Sequence, residues 1–177
     1  MFTSITLTFG KEDILNTILT FPDGTIAFST STKESFWKGR DTTVIQGQNY
    51  FAKTHASIDW RDKYFDINGQ VLPFDRIKHT KTLSSKRWWT WGGFTIEMQH
   101  HHGEWTASVP SGAVIARYRS YKGHLFHDNE PAQLTVDFDL ASPEATFLIL
   151  CFLYTETRRI EDEEAARRAS HAAHAAN

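Results

Sequence analysis

Between Phe74 and Trp91 the chain carries five cations, Arg76, Lys78, Lys81, Lys86 and Arg87, against one carboxylate, Asp75, and the stretch closes on Trp88, Trp89 and Trp91. Ammonium and guanidinium groups beside amphipathic indole rings suit an anionic phospholipid headgroup, at about 1 kcal/mol per nearby Lys or Arg. Lys78, Lys81, Lys86, Arg87, Trp88 and Trp89 are therefore the candidate anion- or lipid-binding residues. The plainer reading is a solvated loop leading into a strand whose Trp residues pack in the core. Nucleic acid could use the same cations and stacking rings. One small patch in a chain of net charge −2 is too slight an electrostatic footprint to favour it.

A second constellation is His100-His101-His102, with His124 and His127 downstream. On a strand His100 and His102 would share a face, and a pair from each segment could offer four imidazoles to a metal. His100, His102, His124 and His127 are the weak metal candidates. The run has no Cys pair and no His-Glu-x-x-His helix. A polar turn before Gly103 and a loop near Gly123 explain it more simply, and no metal or other cofactor is expected. Asp59, Asp66, Glu97, Asp137 and Asp139 alternate with apolar residues and should point outward, where carboxylates are ordinarily just solvated. No nucleophile elbow, phosphate loop or dinucleotide fingerprint is present.

The elements that must position these groups follow from composition and period. The chain has 177 residues, 19 basic and 21 acidic, and 14% aromatics including six Trp. This composition fits one folded domain and excludes a bulk polycation and a low-complexity chain. The single cysteine, Cys151, cannot close an intrachain disulfide and lies in an apolar run, so it reads as a small buried hydrophobe. The N-terminal segment lacks a basic region followed by an apolar one, and no stretch approaches the roughly 20 apolar residues of a membrane span. A reducing, cytoplasmic setting is expected.

Residues 1–140 read as strands and turns. Ile5, Leu7 and Phe9 alternate with Thr6 and Thr8; Phe94, Ile96 and Met98 with Thr95, Glu97 and Gln99; Leu134, Val136, Phe138 and Leu140 with Thr135, Asp137 and Asp139. Pro22-Asp23-Gly24 and Asn68-Gly69 are hairpin turns, and residues 30–42 read as a polar loop. Ser142-Pro143-Glu144 is a helix start, with a capping hydroxyl, a first-position proline and a first-turn acid. The next ten residues are apolar on every side, so that helix must be surrounded by protein. Closing the amphipathic sheet around it satisfies both elements at once. Residues 1–157 form the expected domain, with a central helix over about 143–157. Residues 158–177 form a charged, Ala/His-rich tail, helical or frayed, that could be deleted from residue 160 without changing the melting point.

The segments Thr42-Thr43-Val44-Ile45, Ala56-Ser57-Ile58-Asp59-Trp60, Val114-Ile115-Ala116-Arg117-Tyr118, Leu134-Thr135-Val136-Asp137 and Phe147 to Glu156, in this order, resemble a family of uncharacterised domains found mainly in mushroom-forming fungi. That family is grouped with the tubby-like superfamily, beside LURP-one-related proteins and phospholipid scramblases. The resemblance covers roughly residues 1–160. It implies a mainly β fold: a closed antiparallel barrel of about twelve strands wrapped around a central hydrophobic C-terminal helix. It carries over no catalytic residue. Tubby-type proteins bind phosphoinositides, so the resemblance favours a non-enzymatic intracellular interaction module that contacts anionic membrane lipid or a protein partner. The alternative is a small-molecule enzyme of fungal secondary metabolism. It would use His100 or His102 with a nearby acid, in a pocket at the barrel mouth or an outer groove.

Overall fold

A computed structural model describes residues 4–35, 39–80, 86–123 and 128–175. The first seven strands are β1 (Ile5–Phe9), β2 (Ile18–Thr20), β3 (Ile26–Ser35), β4 (Gly39–Gly47), β5 (His55–Asp59), β6 (Tyr64–Ile67) and β7 (Gln70–Pro73). A one-turn helix, α1 (Phe74–Ile77), leads to β8 (Lys78–Thr80), β9 (Arg87–Trp91), β10 (Phe94–His101), β11 (Glu104–Ser108), β12 (Val114–Arg119) and β13 (Gln133–Val136). The chain ends in the 33-residue helix α2 (Pro143–Ala175). All thirteen strands belong to one antiparallel sheet in the order β7-β6-β5-β4-β3-β2-β1-β13-β12-β11-β10-β9-β8. Among the described residues the hydrogen-bonded ladder ends at β7 on one side and β8 on the other, and does not close.

Local sequence explains most of these elements. Asn68 and Gly69 take φ of 51° and 88°, as the tight β6–β7 hairpin demands. Of residues 30–42, expected to be a loop, 30–35 lie in β3 and 39–42 in β4, with Ser31 opposite Val44 and Thr32 opposite Thr43; residues 36–38 lie outside the described residues. The stretch is polar but rich in Thr, whose branched Cβ favours strands. Its inward hydroxyls are also spoken for: Thr30 Oγ1 donates to the Ile14 carbonyl and Thr32 Oγ1 to the Leu15 carbonyl, each at 3.0 Å. The strand expected to reach Leu140 stops at Val136. The Asp139 carboxylate accepts from the Ala141 N–H at 2.9 Å, and the Ser142 hydroxyl donates to the Asp139 carbonyl at 2.8 Å, folding a turn into α2. Ser142 Oγ then accepts from the Ala145 N–H at 3.2 Å, the cap read from the sequence. Gly47 is fixed by space: a Cβ there would lie 1.8 Å from the Phe51 carbonyl oxygen.

Helix α2 is buried from Ala145 to Thr157 except for half-buried Tyr154, and Ile149 and Phe152 are 1% exposed. Its side chains meet residues from both arms of the sheet. Phe147 lies 6.2 Å from Phe65 on β6 and 5.6 Å from Trp91 on β9, and Phe152 lies 5.8 Å from Tyr118 on β12. No described helix is long and apolar enough to cross a membrane. Beyond Thr157 the helix runs on to Ala175, exposed from Asp162 to Ala173, so the tail takes the helical of its two expected forms. Arg159–Glu163 and Arg168–Glu164 ion pairs support it across one turn.

Candidate anion-binding site

The basic stretch is structured where it is described. Pro73 fixes φ at −61° and starts α1, which buries Phe74 and Ile77. β8 then pairs with β9 so that Lys78 sits opposite Trp89 and Thr80 opposite Arg87. Strand period two sends Arg87, Trp89 and Trp91 to the inner face and Trp88 to the outer one. The single patch expected from sequence is therefore split between two faces. Lys81 lies outside the described residues.

On the inner face, Lys78 and Arg87 gather around the point where α2 leaves the core. The Lys78 Nζ lies 4.9 Å from the centre of the Tyr154 ring and 5.9 Å from that of Trp89, and donates to the Tyr154 hydroxyl at 3.4 Å. The Arg87 guanidinium lies 5.2 Å from the Trp105 ring, and its Nη1 donates to the Thr155 carbonyl at 3.3 Å. Both side chains are about half buried, and neither has a carboxylate within 4 Å among the described residues. Burial, followed by the nearby charges of Arg87, Arg158 and Lys63, holds the Lys78 ammonium below its ordinary pKa, against a weaker pull from Asp162. Burial likewise lowers Arg87. Trp89 is fully buried, stacked on Phe65 at 5.4 Å, and its Nε1–H has no acceptor. It supports the cations from beneath and presents no surface to a ligand, which corrects its place among the expected contact residues.

On the outer face, the Glu97 carboxylate takes both the Lys86 ammonium at 2.6 Å and the Trp88 Nε1–H at 3.1 Å. These residues line a cleft of about 600 Å³ with Val109 and Pro110. Glu97 thus neutralises Lys86 and accepts from Trp88, while among the described residues no carboxylate lies within 4 Å of Lys78 or Arg87.

His100 and His101 end β10, whereas His102 (φ 50°) and Gly103 (φ 80°) form the turn to β11. The expected common face of His100 and His102 is lost because the turn takes His102 off the strand. His100 rests 4.8 Å from Trp105, its Nε2 is buried without a partner, and burial, then the Arg159 charge, lowers its pKa. His124 and His127 lie outside the described residues. Among the described residues no three His, Cys, Asp or Glu side chains group as metal ligands. Asp59, Asp66 and Asp139 accept backbone N–H groups in turns, and Asp137 accepts the Ser4 hydroxyl.

Sequence reasoning passed over Glu156. It is 1% exposed and accepts from Arg159 Nε at 2.7 Å, Arg159 Nη2 at 2.9 Å, Ser120 Oγ at 2.6 Å and Trp105 Nε1 at 2.9 Å. Burial pushes its pKa up, but the hydrogen bonds from Arg159, Ser120 and Trp105 together outweigh that and hold it below the usual carboxylate value. The available signal was its place at the end of the apolar run, three residues before an arginine. Glu156 anchors the exit of α2 and leaves the cations of β8 and β9 without a share in that carboxylate.

No curated protein and no solved structure matches the chain. A family of unknown function does match, over residues 12–161, which takes in every described strand except β1, both cationic groups of the inner face and the buried part of α2. The chain belongs to that family, DUF6593.

Proposed function

We propose that this protein is a non-enzymatic binding module of tubby-like type, working in the cytoplasm, that holds an anionic phospholipid headgroup at Lys78 and Arg87. One observation carries the reading: Lys78 and Arg87, half buried on the paired strands β8 and β9, have no carboxylate within 4 Å among the described residues. Half-desolvated like charges repel, and a bound anion relieves the cost. Lys63 and Arg158 extend the positive field, and Lys86 and Trp88 lie on the neighbouring outer face.

A barrel closed around α2 is part of the same proposal. The outer strands β7 and β8 are joined by only the four residues of α1, a rise of about 6 Å. Thirteen strands laid flat would hold their edges nearly 60 Å apart at about 4.8 Å per strand. The short joint favours a sheet that curls back on itself. The contacts of α2 with β6, β9 and β12 support the helix as its filling.

Vesicle flotation tests the binding. At low salt the protein should float with phosphatidylcholine vesicles doped with phosphatidylserine or a phosphoinositide, and stay behind with phosphatidylcholine alone. Lys78→Gln/Arg87→Gln, with its fold checked by circular dichroism, should lose that flotation. Absence of binding to every anionic composition refutes the proposal, as does unchanged binding by the folded double variant.

A further inference from the structure

We propose that Ser170, on the exposed end of α2, is a phosphorylation site for an arginine-directed serine kinase. In the run Arg167-Arg168-Ala169-Ser170, arginines stand three and two residues before the hydroxyl, and no other Ser or Thr of the chain follows an arginine pair at that spacing. A guanidinium is a planar fork of N–H donors that carboxylates bind in bidentate fashion. A kinase whose substrate groove is lined with acidic side chains selects a serine by charges placed in this way.

The structure separates Ser170 from the residues that share half of the pattern. Four hydroxyl residues stand three after an arginine: Thr43, Thr90, Ser120 and Ser170. Ser120 is 9% exposed, and its hydroxyl donates to Glu156 at 2.6 Å. Thr43 is fully buried and accepts from Trp60 Nε1 at 2.8 Å. Thr90 is held in β9, paired with Thr95 of β10. None of these three can enter a kinase groove without opening the sheet or the core. Arg167, Arg168 and Ser170 instead lie together in the exposed helix that runs from Asp162 to Ala173.

A kinase groove takes an extended chain, so the turns around Ser170 must leave the helix to react. Unwinding there uncovers no buried residue, and the Arg168–Glu164 ion pair that it breaks is a solvent-exposed one, of a kind that contributes little. The Ser170 oxygen attacks the γ-phosphorus of ATP and a P–O bond forms. The bond to the bridging β–γ oxygen breaks, ADP leaves, and the hydroxyl proton passes to the catalytic aspartate of the kinase. The phosphate adds a charge of about −1.5 to −2 near neutral pH, one helical turn after Arg167.

The probe is the catalytic subunit of cAMP-dependent protein kinase with MgATP, acting on the folded full chain, and peptide mass spectrometry times phosphate incorporation at each hydroxyl. Ser170 should be labelled at least about ten times faster than Ser120, which reacts only when the fold opens locally. Arg167→Gln/Arg168→Gln changes two exposed residues and should keep the wild-type melting point. It should slow Ser170 at least about tenfold, the effect of losing a charge-assisted contact to the kinase. Absence of phosphate at Ser170 overturns the inference. So does an unchanged rate in the double variant, or labelling of Ser120 or Thr43 as fast as Ser170. The headgroup reading stands or falls separately, because this site shares no residue with Lys78 and Arg87.

Discussion

Substitution of Glu156 by Ala removes the acceptor of three partners in one step. Trp105 is 2% exposed, so its Nε1–H is left buried and unpaired, at a cost of about 1–3 kcal/mol. Ser120, 9% exposed, loses its short bond to Glu156, but its hydroxyl can rotate toward another acceptor. Arg159 keeps Glu163, and its side chain is 20% exposed, so water meets part of its need. Together these place the loss at about 2–3 kcal/mol, short of the range for an ion-pair partner left buried and uncompensated. Urea unfolding of the wild type, Glu156→Ala and Glu156→Gln measures it, with Gln expected in between because its carbonyl still accepts one bond. The pH dependence supplies a second readout. The folded pKa of Glu156 is depressed, so its stabilisation is complete above the unfolded value of about 4.5 and is lost as pH falls from there through the folded pKa. Glu156→Gln should lack that component of the acid slope. A loss below about 1 kcal/mol for Glu156→Ala, or an identical acid slope in Glu156→Gln, would refute the claim that this network anchors the helix exit.

Gly47→Ala must push a Cβ against backbone, 1.8 Å from the Phe51 carbonyl oxygen and 2.6 Å from its carbon. We expect a loss of about 3 kcal/mol and a melting point about 6–12 °C lower by differential scanning fluorimetry; a fall of under about 2 °C would sink the argument. Residues 165–173 are exposed helix, so deleting residues 165–177 should leave the melting point unchanged. Deleting residues 160–177 also removes Glu161, which pairs with Arg40 and Arg158, and Glu163, which pairs with Arg159. That longer deletion, expected from sequence to be silent, should lower the melting point, and equal melting points for the two truncations would show these pairs to be inert.

The parts of the fold legible in the sequence were those set by local period and turn chemistry. Asn68-Gly69, the alternation in β1 and β10, and the Ser142-Pro143 helix start are all where they were read. At residues 30–35 and 39–42 polarity does not mean a solvated loop, because the Thr30 and Thr32 hydroxyls bond to the backbone at Ile14 and Leu15, which composition does not show. The cationic stretch was legible as composition and not as geometry. Period two sends Trp88 outward and Trp89 inward, and only the register with β8 and β10 reveals which cations meet Glu97 and which meet Tyr154. Glu156 escaped because its partners Trp105 and Ser120 lie 51 and 36 residues away along the chain.

Among the described strands, every neighbour in the sheet is also a neighbour in sequence except one pair, β1 with β13, whose register matches Ile5 to Val136 and Leu7 to Leu134. The two meanders, β1 to β7 and β8 to β13, can each zip up from local hairpins at little entropic cost, leaving a single distant seam to be stitched. Helix α2 follows all the described strands, so on a ribosome the apolar face of both meanders stays uncovered until residues 145–157 have emerged. Folding of these strands is thereby tied to synthesis of α2, and a nascent chain stalled before residue 143 would display that apolar face as a target for chaperones.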